Sequence, residues 1–199
     1  MSPVPVALDE TFPIPSDGQC QAWWDEYEML DNVRVHSLAV ARVASALAEM
    51  ASPGTENDYL RRAVRASALL HDLAKSYTIR HGGHHNQLGG AWVMNLTGNP
   101  LVAQGVIHHV FWPGRIDLDA FFLPLVIIYS DKRVRHDQVV SLQERKEDLL
   151  IRYGINERSK SHIAKSFDQT THIERELEQR TGVSLHAHTF DRRGMVRGA

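Results

Sequence analysis

Apolar residues recur at helical spacing along most of the chain, and the pattern divides into segments at its glycines and prolines. Residues 20–30 read as a short amphipathic helix in which Trp23, Trp24 and Tyr27 are core or arm-packing residues. After Asp31, a candidate N-cap, the spacing predicts a long helix over 31–51 with His36, Val40, Val43 and Leu47 on one face. Ser52-Pro53-Gly54 breaks it, and Thr55-x-x-Asp58 resembles a capping box. The helix this box opens places Leu60, Val64, Ser67 and His71 on one face, with Ala68 and Asp72 beside them. Residues 80–86 (RHGGHHN) read as a loop, and a helix over about 87–96 ends at Thr97-Gly98-Asn99-Pro100. The next helix runs to about His109 and stops at Trp112-Pro113-Gly114. Another is expected over 119–137, with Pro124 marking its first turn or a kink.

The region 138–181 is charged and helical with a break at Gly154, and residues 131–153 are expected to carry the last core helix on into this extension. Val139, Val140, Leu142, Leu149, Leu150 and Ile151 offer apolar surface for packing on the domain or for a homodimer. The first eighteen residues hold Pro3, Pro5, Pro13, Pro15 and Gly18 and read as an extended arm lying on the domain or partly disordered. The last eighteen read as a loose tail. No internal repeat or useful β-alternation appears, so the expected class is all-α. Its expected parts are an arm over 1–19, a helical core over 20–140, and a helical extension with tail over 141–199.

Composition narrows the function. A chain of 199 residues can bury a core without covalent staples. The formal net charge of −2 offers no basic footprint for nucleic acid. A single cysteine, Cys20, excludes a disulfide framework and leaves almost no room for a cysteine-based zinc site. The longest strongly apolar run, Phe121 to Tyr129, is too short to cross a bilayer, and the N-terminus lacks a secretory pattern, so a cytoplasmic protein is expected. One number is out of line: the chain has twelve histidines, and histidine is the commonest metal-ligating side chain.

The helix faces sort those histidines. His36 and His71 project from apolar faces, Asp72 is turned about 100° from His71, and Asp131 follows Ile127 and Ile128 at helical spacing. A lone histidine on such a face is more often a hydrogen-bonded core residue, and Asp131 alone could pair with Arg133 or Arg135. Taken together, two inward histidines and two inward carboxylates can relieve one another by holding a cation. A nitrogen and carboxylate donor set suits Zn, Fe, Mn, Co or Ni better than Ca or Mg.

His36, then Leu69-Leu70-His71-Asp72-Leu73-Ala74-Lys75, then Asp131 resembles the H…HD…D pattern of the HD superfamily of metal-dependent phosphohydrolases, over roughly residues 30 to 140. The resemblance implies an HD-domain helical bundle with His36, His71, Asp72 and Asp131 as metal ligands. Some members add two histidines that complete a two-metal site. His85 matches their H-x-x-x-G pattern and is favoured over His84; at the helix end His108 is favoured over His109. The other member of each pair would orient ligands or bind substrate. The 14-residue spacing from His71 to His85 is short for such members.

The implied reaction is hydrolysis of a phosphate ester or anhydride by a metal-activated hydroxide, with one or two divalent transition ions and Asp72 bridging them where there are two. Lys75 is the first candidate cation for the phosphoryl oxygens, followed by Arg80, Lys132 and Arg133. The implied substrate is a small phosphorylated molecule, a nucleotide or dinucleotide polyphosphate, with no nucleic-acid or membrane partner. Likeness to the bacterial diadenosine tetraphosphate hydrolases is limited to ligand order and the HDxxK and H-x-x-x-G pieces. Two alternatives belong to other classes: a non-catalytic nucleotide-binding or signalling HD module, and an HD-fold di-iron oxygenase. Gly82-Gly83 reads as flexibility at the site's mouth and His81 as lining its entrance. His136 is expected off the site, and His162, His172, His186 and His188 are expected in solvent, the last two able to collect metal adventitiously.

Overall fold

Ser16 opens the first helix: its hydroxyl accepts from the Gln19 amide at 3.3 Å while the Gln19 side chain accepts from the Ser16 amide at 2.8 Å. This capping box starts α1 (Asp17–Glu26) earlier than apolar spacing alone predicts, because caps act before the first buried residue. The computed structural model describes residues 3–51, 54 and 57–186, and the backbone of 189–190 and 196–197. Ser52, Pro53, Thr55 of the expected capping box, and His188 lie outside the described residues.

α1 buries Cys20 and Trp24, and the Trp24 indole donates to the Leu69 carbonyl at 3.0 Å. α2 (Asp31–Ala51) buries His36, Val40, Val43 and Leu47 as its spacing predicts, and packs against α3 (Asp58–Leu70). The third helix ends before the His-Asp dipeptide. Residues 71–74 form tight turns in which Leu73 N–H donates to Leu70 and Lys75 N–H to Asp72, each three residues back. α4 (Lys75–His81) follows, so the stretch expected as a loop from residue 80 is helical to His81.

α5 (His85–Thr97) ends on Gly98 at φ 62°, and Asn99 caps α6 (Pro100–His108) with Pro100 as its first residue. These two helices pack closely because Gly90 faces Ile107, where a Cβ would lie 2.8 Å from the isoleucine Cβ. α7 (Leu118–Lys132) is buried from Phe122 onward, and Phe121 takes φ −136° where Pro124 disrupts the turn before it. This central helix packs on α2, α3 and α6.

The chain departs from expectation after Lys132. Rather than continuing as helix, it forms a hairpin of β1 (Val134–Arg135) with β2 (Gln138–Val139), turning at His136, whose φ is 58°. The extension is therefore a separate α8 (Leu142–Tyr153), opened by a Ser141–Glu144 capping box and closed at Gly154. α9 (Glu157–Thr181) lies along α7 and α2 and carries α8 on its side. A second short hairpin, β3 (Thr189–Phe190) with β4 (Val196–Arg197), follows.

The fold is all-α, with two-residue strand pairs as its only sheet among the described residues. The arm lies on the domain: Tyr59 donates to the Phe12 carbonyl at 3.0 Å, Asn99 to that of Pro13 at 3.2 Å, and Gln104 to that of Val4 at 2.9 Å. The start of the expected loose tail is also tied down. Leu185 is fully buried, and its carbonyl accepts from Arg133 at 2.8 Å. No helix among the described residues is long and apolar enough to cross a membrane.

Candidate metal centre

Five elements converge on one point. His36 comes from the middle of α2, His71 and Asp72 from the tight turn after α3, His85 from the first turn of α5, His109 from the end of α6, and Asp131 from the end of α7. His36 Nε2 lies 3.0 Å from Asp131 Oδ1, and His71 Nε2 lies 3.8 Å from that same oxygen. His85 and His109 place their Nε2 atoms 3.4 and 3.5 Å from Asp72 Oδ1 and 3.1 Å from each other. Each aspartate gives its second oxygen to a lysine: Asp72 Oδ2 accepts from Lys75 at 2.7 Å, and Asp131 Oδ2 from Lys132 at 2.8 Å.

Backbone carbonyls settle which histidine nitrogens carry protons. His36 Nδ1 contacts the His136 carbonyl at 3.0 Å, and His71 and His109 contact those of Ala68 and Val106 at 2.7 Å each. A carbonyl only accepts, so each Nδ1 must donate, which leaves Nε2 of each neutral ring as a bare lone pair facing carboxylate oxygen. His71 Nε2 and Asp72 Oδ1 are buried with no hydrogen-bond partner among the described residues. Buried acceptors turned on one another are costly, and a cation between them removes the cost. His36, His71 and Asp131 form one buried group able to hold a metal ion, and His71, Asp72 and His109 form another.

The electrostatics agree. Burial raises the Asp72 carboxyl, but Lys75 and His71 outweigh it and hold the group well below the usual carboxylate range. Asp131 is held low in the same way, Lys132 and His36 overcoming burial. Burial depresses His71, yet Asp72 and Asp131 outweigh it and raise it, so the two carboxylates draw positive charge to its Nε2, as a proton or as a metal ion. Burial dominates at His109, which is lowered, and at His85, which is pushed down to about 3. Both of these rings are neutral at pH 7, as metal ligands must be.

The HD-domain family model matches residues 33–152. The chain belongs to the HD-domain family. No curated protein and no solved structure matches it. The family is one of metal-dependent phosphohydrolases, and the buried histidine and aspartate groups of this HD domain are the ones that could hold such a metal.

Several expected residues fall elsewhere. His108 is turned from the cluster and its ring packs edge-on to Trp112 at 5.1 Å, so His109 stands where His108 was expected. Helical spacing carried the signal, since Val102, Val106 and His109 share the buried face of α6 and His108 does not. His84 is exposed as the residue before α5. Arg80 pairs with Glu28 at 2.8 Å on the surface, away from the site. Arg133 is buried behind it, donating to Val140, Tyr129 and Leu185, and so braces the end of α7. His81 stacks on Tyr77 at 4.4 Å.

A cleft of about 610 Å³ opens over the cluster, and Lys75 and Lys132 line it. His136, expected off the site, also lines it, because the hairpin folds back where a continuing helix would have carried the residue away. The opposite wall comes from α8 through Arg145, Leu149, Arg152 and Tyr153. These four fall on one helix face, but a stripe so rich in charge reads as solvated until tertiary structure places it.

Proposed function

We propose that this HD domain hydrolyses a phosphate ester or anhydride of a small phosphorylated molecule, with a nucleotide or dinucleotide polyphosphate as its substrate class. The observation that carries the reading is the pair of partnerless buried acceptors, His71 Nε2 and Asp72 Oδ1, set among three more histidines, Asp131 and two lysines. His36, His71 and Asp131 would hold one ion, and Asp72 with His109 and His85 a second, with His71 and Asp72 between the two groups. When bound, a divalent Fe, Mn, Zn, Co or Ni ion supplies Lewis acidity, polarising a phosphoryl oxygen and making water more acidic.

The chain's own residues do the rest. The Ala68, Val106 and His136 carbonyls fix the tautomers of three rings and aim their lone pairs inward. Lys75 and Lys132 each hold one aspartate oxygen and present positive charge at the cleft, where it offsets negative charge growing on phosphoryl oxygens. Lys75 acts on the reaction through this charge, and Asp72 sets its position.

The test is a panel of phosphomonoesters and nucleotides incubated with protein loaded with Mn, Co, Ni or Fe, alongside metal analysis of protein purified without added metal. Turnover that falls at least about 100-fold in His71→Ala and Asp72→Ala is expected. Ligand binding with no turnover of any member would give the site to a non-catalytic module. Oxygen consumption by the iron form without phosphate release would give it to an oxygenase.

A further inference from the structure

The α8 wall of the cleft has chemistry that metal binding does not use. Arg145 is the only residue of this helix that is buried, its side chain 8% exposed, where an amphipathic helix would bury a leucine. Its guanidinium is tied to Asp148 at 2.6 Å, and its Nε–H is buried with no acceptor among the described residues. Arg152, one turn beyond Asp148, approaches the same carboxylate at 3.4 Å. Pairs at this spacing on exposed helices contribute little and need no function. Here one arginine is desolvated with a donor unused, which is costly unless something else completes it.

The surroundings say what that is. Lys75, Lys132, Arg145 and Arg152 all line the cleft, against only Asp72 and Asp131 among its carboxylates, and those two turn toward the histidines. Four cations against three carboxylates, counting Asp148 behind the two arginines, leave the cleft net positive even before an ion is counted. At its mouth stand Ile79, 65% exposed, Val110, 37% exposed, and Tyr153, 53% exposed, an apolar and aromatic rim beyond the cationic belt. The cleft thus offers buried histidines and aspartates, a cationic wall, and an exposed apolar and aromatic rim.

We propose that α8 is the specificity wall: Arg145 and Arg152, set by Asp148 between them, bind the phosphates that are not cleaved, and the rim takes the base. The site then prefers nucleoside polyphosphates over monophosphates. This rests on the phosphohydrolase reading above for the direction in which the substrate enters.

The experiment measures dissociation constants of the full chain for adenosine 5′-(β,γ-methylene)triphosphate and for adenosine monophosphate, in buffered excess Mn²⁺ so that neither ligand strips the protein. The wild-type protein is expected to favour the triphosphate analogue, and Arg145→Gln and Arg152→Gln each to contract that preference by about tenfold, the value of one charged hydrogen bond. Arg158→Gln, an exposed change on α9, is the charge control and should leave the preference unaltered. If Arg145→Gln fails to fold by circular dichroism, the exposed Arg152→Gln decides. A wild-type protein that does not discriminate, or variants that weaken both ligands equally, would overturn the proposal. Release of p-nitrophenol from p-nitrophenyl phosphate by wild type but not by Asp72→Ala tests the underlying reading separately. Turnover without an α8 effect sinks the wall alone, and an α8 effect without turnover sinks the hydrolase alone.

Discussion

His36 Nε2 stands 3.0 Å from Asp131 Oδ1 while the other nitrogen of its ring meets the His136 carbonyl, also at 3.0 Å. With the proton on Nδ1, two acceptors face each other, and only a proton or a metal ion between them makes the contact favourable. Adding a divalent ion at a hundredfold excess over its dissociation constant should stabilise the protein by about 2.7 kcal/mol. For a chain of this size that is a rise of about 5–10 °C in Tm. A chelator should reverse it, and Asp131→Ala should lose the rise, the bound metal and activity together. Full metal content in Asp131→Ala would refute the assignment of this aspartate as a ligand.

The adjacent histidines at the end of α6 give a sharper contrast. His109 is buried against Asp72 and His85, whereas His108 is half-buried and packs on the core residue Trp112. His109→Ala should lower metal stoichiometry and cut turnover by at least about tenfold. His108→Ala should keep both, its effect confined to a small drop in Tm from the lost ring contact. Metal analysis and kinetics of the two variants side by side check this, and equal losses in both would contradict the geometry.

Why His109 could be misread and His36, His71, Asp72 and Asp131 could not is a matter of local context. Those four follow apolar stretches whose helical period aims them inward, and that period depends on sequence alone. In the His-His pair the face has to be counted back to Val102 and Val106, which turns His109 inward where Gly105 brings α6 onto Ser67 and Leu123. The all-α class was legible for the same reason as the inward placement of these four side chains. The hairpin at residues 134–139 was not, since two-residue strands are too short for alternation to show. Arg80 and Arg133 show a further limit: Glu28 draws one to the surface, and Tyr129, Val140 and Leu185 draw the other into the interior. Proximity in sequence to the ligands carried no information about either.

Acid should destabilise the metal-free protein through His85. Burial pushes this ring down to about 3 in the folded chain, against an ordinary value of 6.5. The unfolded chain therefore takes up a proton near pH 6.5 that the folded chain refuses until about pH 3, and stability present above 6.5 is lost as pH falls through that window. The slope from one such group is at most about 1.4 kcal/mol per pH unit. His109 is lowered by burial too and adds in the same direction. Denaturant midpoints of chelator-treated protein between about pH 4 and 7.5 measure the slope, and His85→Gln should flatten it. An unchanged slope in that variant would show that His85 is not the group being titrated.

Gly105 links packing to the site. A Cβ there would collide with Ser67 Oγ and lie 2.5 Å from Leu123 Cδ2, at the point where α6 crosses α3 and α7. The Ser67 hydroxyl that would be displaced donates to the Val102 carbonyl at 3.1 Å, so the crossing would lose a buried hydrogen bond as well as its fit. Overpacking of this kind costs about 1–3 kcal/mol. Gly105→Ala should also push α6 outward and carry His109, four residues on, away from Asp72, so metal stoichiometry should fall with Tm. Gly98→Ala is the matched comparison. It strains a left-handed residue at φ 62° with open space around it, for about 1 kcal/mol, and moves neither helix. If Gly98→Ala keeps its metal while Gly105→Ala loses it at comparable Tm, the distance between α3 and α6 governs the second group of ligands. If both keep full metal, α6 tolerates the displacement and its glycine serves stability alone.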